Sequence, residues 1–144
     1  MRRDARRLRR PFAALSILVL AACADSTAPT PESVVGSYEA TMFTMRTAEA
    51  DRDILAEGGY LRLTLHQDKT VEGELFVPGG ADGAAVIADI VGQWVLLESE
   101  VRFNVLPDTF VRDLPFIVDG RRLVGEGTVD GVDYLVVMER SQPL

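Results

Sequence analysis

From residue 34 onward, apolar and polar positions alternate with a period of two. Leu61-Arg62-Leu63-Thr64-Leu65, Val71-Glu72-Gly73-Glu74-Leu75 and Val101-Arg102-Phe103-Asn104-Val105 are clean cases. Successive side chains of a strand point to opposite faces, so this period gives each segment one dry face and one wet face. Turn signals divide the runs at Asp68-Lys69, Pro78-Gly79-Gly80, Asp119-Gly120 and Asp130-Gly131. The two Asp-Gly pairs suit tight hairpins, because glycine accepts the positive φ those turns demand. The pattern predicts about eight strands, near 34–45, 60–66, 70–77, 84–91, 93–98, 100–105, 114–119 with 122–129, and 132–140. Residues 84–98 also read as one long bent strand, which keeps the count at eight with 114–129 divided into a hairpin.

Many short strands with hairpin-length links imply an all-β, antiparallel meander, and eight strands can close into a barrel without exposed edges. The exception is 46–57, RTAEADRDILAE, where alanine and glutamate dominate. That stretch is compatible with a short helix, a flap over one barrel mouth, or a solvated loop.

Alternation selects the inward set: Tyr38, Ala40, Met42, Leu61, Leu63, Leu65, Leu75, Trp94, Leu96, Phe103, Phe116, Tyr134, Val136 and Met138. Gly73, Gly125 and Gly127 fall on the same face. They either open a pocket, make room for large neighbours, or mark bends where strands coil. An eight-stranded barrel is just wide enough to be filled by its own side chains or to hold one small ligand. Should a pocket exist, Tyr38, Met42, Leu63, Leu75, Trp94, Phe103, Phe116, Tyr134 and Met138 are its candidate lining. Leu135 and Val137 are expected outside.

The start of the chain has a different grammar. MRRDARRLRR is followed by PFAALSILVLAA, a twelve-residue uncharged run from Pro11 to Ala22. A spanning helix needs about 20 apolar residues, so the run fits a secretory signal peptide instead. Cys23, the single cysteine, ends that run. Leu20-Ala21-Ala22-Cys23 resembles the bacterial lipobox, which implies cleavage before Cys23 and lipidation of its thiol. Ala22-Cys23-Ala24 also fits an ordinary signal-peptidase site, which would cut after Ala24 and discard the thiol. Two or more acyl chains anchor a protein lastingly, at about 0.8 kcal/mol per buried methylene. Ala24 after the cysteine resembles an outer-membrane sorting address, and Arg9-Arg10-Pro11-Phe12 has a faint likeness to a twin-arginine export signal. The expected organisation is a signal peptide (1–22), a lipidated cysteine with a flexible tether (23–33) and one barrel domain (34–144). The tether, DSTAPTPES over 25–33, has two prolines and no apolar period.

Charge narrows the partners. Six of the 15 Lys and Arg residues, but one of the 22 Asp and Glu residues, precede Cys23, so the remainder carries a net charge of about −12. Such a surface repels phosphate backbones, which argues against nucleic acid. With one cysteine there is no internal disulfide, so stability must come from packing.

Gly36-Ser37-Tyr38 opens the first strand and Arg140 closes the last one. This is similar to lipocalins, whose first strand begins Gly-x-Trp and whose last carries a basic residue over that ring. The resemblance implies a barrel-closing pair, Tyr38 with Arg140, and a cation on an aromatic face is worth about 0.5–2 kcal/mol. The stretches GELFVPGG, DTFVRDLPF and GVDYLVVMER resemble uncharacterised bacterial lipoproteins with lipocalin-like domains.

No constellation carries catalysis. His66 is the sole histidine and sits beside a turn; Gly-x-Ser-x-Gly, P-loop and His-Glu-x-x-His patterns do not occur. Glu72 and Glu74 lie on one outward face, in water, where neither is a poised acid. Asp51-Arg52-Asp53 and Asp130-Gly131-Val132-Asp133 lack the spacing of a twelve-residue calcium loop. No metal or cofactor is called for. The expectation is an exported, lipid-anchored barrel that binds rather than catalyses. It has the membrane as partner through Cys23 and a small hydrophobic ligand inside. The alternative is an envelope assembly protein with a packed barrel and a protein-binding exterior.

Overall fold

A computed structural model describes residues 28–80 and 83–141. The signal peptide, Cys23 and the first residues of the tether lie outside the described residues. The elements run in the order α1 (Pro31–Val34), β1 (Gly36–Arg46), β2 (Asp51–Asp53), β3 (Tyr60–Leu65), β4 (Thr70–Val77), β5 (Val86–Leu97), β6 (Glu100–Leu106), α2 (Phe110–Asp113), β7 (Phe116–Asp119), β8 (Arg122–Val129) and β9 (Val132–Arg140). Every strand pairs antiparallel with its neighbour, and β9 returns to β1. Eight strands, β1 and β3 to β9, thus form a closed barrel consistent with a lipocalin-like meander.

The hairpins follow from their turn residues. Asp130 and Gly131 both have positive φ, +51° and +78°, the geometry of the two-residue link between Val129 and Val132. β5 is one twelve-residue strand, as the longer reading of 84–98 allows. It coils tightly at Gly92, where an added Cβ would lie 2.1 Å from the Asn104 carbonyl oxygen.

Residues 46–57 hold no helix, which corrects that expectation, and outside β2 most of them are the exposed bends and turns that a solvated loop implies. They form a β-hairpin: β2 folds back on β1, with Arg46 opposite Asp51, and a turn follows it. The lower half of β1 pairs with β3 and the upper half with β2, so this hairpin completes the wall. Ile54, just past β2, is fully buried, a burial that contributes about 1.5–3 kcal/mol.

Met42 is a second correction. The register slips between Ala40, opposite Met138, and Met42, opposite Val137, so Thr41 is an extra residue in a β-bulge. Beyond it the inward positions become Phe43 and Met45, at 0% and 4% exposure, while Met42 turns outward at 46%.

The tether is also shorter than expected. Thr30 caps α1, accepting from the Ser33 amide, while the Ser33 hydroxyl lies 2.9 Å from the Thr30 amide. Pro31 suits the first helical position because its missing N–H would be unpaired there anyway. The turn drives Val34 into the core at 0% exposure.

α1 closes one end of the barrel, its floor. The Tyr38 hydroxyl donates to the Val34 carbonyl at 2.7 Å. Arg140, directly opposite Tyr38, sends its guanidinium to the Ser33 and Val35 carbonyls at 2.6 and 3.3 Å. Trp94 donates its indole N–H to the His66 carbonyl at 3.0 Å, and Lys69 lies over its ring at 4.0 Å. Among the described residues the cation over a floor ring is Lys69 on Trp94, while Arg140, partnered with Tyr38 across the β1–β9 ladder, holds backbone carbonyls and acts on the Tyr38 hydroxyl.

Above the floor the interior is filled. Leu61, Leu63, Leu65, Phe103, Phe116 and Met138 are between 0% and 3% exposed. The inward glycines make room for neighbours. A Cβ on Gly125 would meet Phe116 and Leu114 at 2.7 and 2.8 Å, and one on Gly73 would meet the Arg62 carbonyl oxygen at 2.0 Å.

Candidate functional site

The opposite end, the mouth, is built differently. β6 pairs with β7 only through Glu100 and Val101, opposite Ile117 and Phe116. Among the described residues the rest of β6 has no strand on that side, and α2 packs against it. Phe110, Val111 and Leu114 turn inward at 7%, 0% and 0% exposure. Phe110 stacks on Tyr134, with centroids 4.4 Å and planes 14° apart, and tilts against Phe43 at 5.4 Å. α2 thus acts as a plug seated between β6 and β9.

The plug leaves a hollow of about 380 Å³. Its apolar wall is Met45, Leu75, Val77, Val86, Phe110, Val129, Val132 and Tyr134. Its rim carries Asp108, Asp113 and Asp130. The volume lies at the lower end of the range for small-molecule sites, about 300–1,000 Å³. A second depression of about 550 Å³ meets it at Met45 and Tyr134. That one runs past Arg46, Asp51 and Glu126, and the ion pair of Arg46 with Asp51 at 2.8 Å lies on its wall. Its charged lining suits water better than an apolar guest.

Thr109 and Tyr134, both partly buried, border the first hollow. The Thr109 Oγ1 atom is shielded from water and has no hydrogen-bond partner among the described residues. Thr109 occupies the N-cap of α2 yet makes no side-chain cap bond. Burial pushes the Tyr134 phenol above its ordinary pKa, and the nearby negative charge of Asp130 pushes the same way. Burial raises the Tyr38 phenol too, against the opposing pull of Arg140.

Of the nine side chains expected to line a ligand space, Leu75 and Tyr134 border the hollow. Leu63, Phe103, Phe116 and Met138 occupy the filled centre, Tyr38 and Trp94 belong to the floor, and Met42 faces outward. Val77, Val86, Val129, Val132, Met45 and Phe110 were not foreseen. The bulge that turns Met45 inward has no sequence signature, and DTFVRDLPF reads equally well as a link between strands. His66 lies on the outside of the floor with its Nε2 3.2 Å from Glu72. Among the described residues no group of three or more metal-ligating side chains converges.

Comparison with protein-family models, curated proteins and solved structures finds no significant match.

Proposed function

We propose that this chain is an exported, lipid-anchored barrel protein that binds one small, largely apolar molecule at its mouth. The observation that carries the reading is the hollow between α2 and the strand ends, walled by Met45, Leu75, Val77, Val86, Phe110, Val129, Val132 and Tyr134. The anchor rests on the sequence: Cys23 directly ends an uncharged run after a basic start. Binding would take place in the mouth and not along the barrel axis, because the centre is occupied by Phe103, Phe116 and Met138. Trp94, the single tryptophan, sits at the floor, so its fluorescence is a poor reporter of this site.

Two experiments test the parts separately. Titration of the purified protein with an environment-sensitive apolar dye should saturate at one site, with displacement by small neutral apolar molecules. No saturable signal across the panel would end the ligand reading. Metabolic labelling with radioactive palmitate should mark the native chain and not Cys23→Ser; an unlabelled native chain would end the anchor reading.

A second reading is favoured by one exterior feature. Ile87, Val91, Val95 and Leu97 are exposed on the outer face of β5, with Asp89 and Gln93 between them, and Leu106 lies opposite Val91. Leu135 and Val137, expected to serve outside, are half-buried. The β5 face fits contact with an envelope protein. A photo-crosslinker at position 91 should then give a discrete adduct in cells that position 39, on the far wall, does not give.

A further inference from the structure

We propose that Arg121 and Arg140 hold the phosphate of an anionic lipid head group, seating the barrel floor on the bilayer with the mouth turned away. The inference rests on the anchor reading above and adds a second contact with the same membrane. Arg121 lies in the short turn between β7 and β8, where Asp119 pairs with Arg122. The Arg140 amide donates to the Arg121 carbonyl at 2.9 Å, and the Arg121 guanidinium donates to the Arg140 carbonyl at 3.2 Å. The two residues thus face each other one step beyond the last ladder pair, Arg122 with Glu139. Like charges placed in that way repel. Among the described residues neither has a carboxylate partner, whereas Arg46, Arg52, Arg62, Arg102, Arg112 and Arg122 each have one. Lys69, the remaining Lys or Arg, lies over Trp94 with the charge of Glu32 nearby.

Arg121, Arg122, Glu139 and Arg140 border a shallow depression of about 530 Å³. Asp119 neutralises Arg122, and Glu139 stands against the other two guanidiniums, so a positive charge is left over. Guanidinium forks match the oxygens of a phosphate, which makes that anion the fitting partner. A domain with a net charge of about −12 repels a polyanion as a whole, but a head-group phosphate meets this end alone. The tether selects the source of the phosphate. Arg140 bonds to the Ser33 and Val35 carbonyls, so the chain from Cys23 joins the barrel beside the arginine pair. The seven residues from Cys23 to Thr30 reach at most roughly 25 Å when extended. A lipidated Cys23 therefore keeps the pair within reach of head groups, while the rim with Asp108, Asp113 and Asp130 lies at the far end.

Trp94, the single tryptophan, lies at the floor and so reports the distance from floor to membrane. The chain isolated from membranes is reconstituted in vesicles that carry a dansyl-labelled lipid. Energy transfer from Trp94 is read in phosphatidylcholine with and without phosphatidylglycerol. Transfer should be greater with phosphatidylglycerol and fall back at high salt. Arg121 makes one side-chain hydrogen bond, at the surface, so Arg121→Gln should keep the fold. That variant should lower the docked-to-free ratio about fivefold, as expected for one basic side chain at an anionic surface. Arg121→Lys should keep most of the native docking and Arg46→Gln, at the mouth, all of it. Equal transfer in both lipids by an anchored chain would overturn the docking inference and leave the anchor standing. A chain that does not float with the vesicles would overturn both. A melting temperature raised by inorganic phosphate, with transfer indifferent to lipid charge, would overturn the membrane as the source.

Discussion

Phe110 lies flat on Tyr134, ring centroids 4.4 Å apart, and this stack joins the α2 plug to β9 across the barrel mouth. The two rings have unequal duties. Phe110 is 7% exposed and also touches Phe43, whereas the Tyr134 hydroxyl makes no hydrogen bond among the described residues. Phe110→Ala should cost about 3 kcal/mol, the lower end for a buried ring, and enlarge the hollow. Tyr134→Phe should change stability by less than about 0.5 kcal/mol. Denaturant unfolding of both variants checks the contrast.

The bulge at Thr41 separates two adjacent residues that strict alternation would interchange. Met42→Lys should leave the melting temperature nearly unchanged, since that side chain is already 46% exposed. Phe43→Lys places a charge at a fully buried position and should abolish the folded state or cost more than about 4 kcal/mol. Thermal melts followed by circular dichroism read both.

Arg140 holds α1 to the floor through the Ser33 and Val35 carbonyls. Arg140→Gln should lower stability by about 1–2 kcal/mol, since bonds to a charged donor are among the stronger ones. Amide exchange should quicken at Ser33 and Val35, whose N–H groups bond within α1, with β5 and β6 unaffected. Uniform loss of protection would instead mean that the floor and the barrel open together.

Tyr38 and Tyr134 have raised pKa values, mainly because burial disfavours the phenolate. Below the ordinary phenol value of about 10, both rings are neutral in the folded and unfolded chains alike. Above it, unfolded phenols lose protons first, so stability falls as pH rises through the folded-state values. An alkaline titration at 295 nm should show two of the three tyrosines ionising late. Their ionisation should coincide with loss of near-ultraviolet circular dichroism.

The barrel itself was legible because its strands obey one rule for five or more residues at a stretch. Leu61, Leu63 and Leu65 alternate with polar neighbours, and all three are buried. What escaped were features set by a single residue or by tertiary context. One extra residue, Thr41, moves Phe43 and Met45 inside without altering composition or turn signals. β2 is three residues long, too short to display a period, and its alanine- and glutamate-rich setting points away from strand. The capping box of α1 was written in Thr-Pro-Glu-Ser but read as tether, because a helix of four residues has no apolar period. Gly125 shows the same limit in part: Phe116 meets it as its partner in the β7–β8 ladder, but Leu114 reaches it from the end of α2. The hollow depends on that plug, so its lining could not be assembled from strand alternation alone.

Val86 offers the most direct test of a binding mouth, because it borders the hollow yet is already 38% exposed. Val86→Trp should occupy the hollow without disturbing the core. The decisive measurement is titration of this variant and the native chain with the same apolar dye, alongside their melting curves. A mouth site predicts that saturable binding is lost while the melting temperature holds. Native-like binding by an equally stable Val86→Trp chain would contradict it and move any ligand elsewhere.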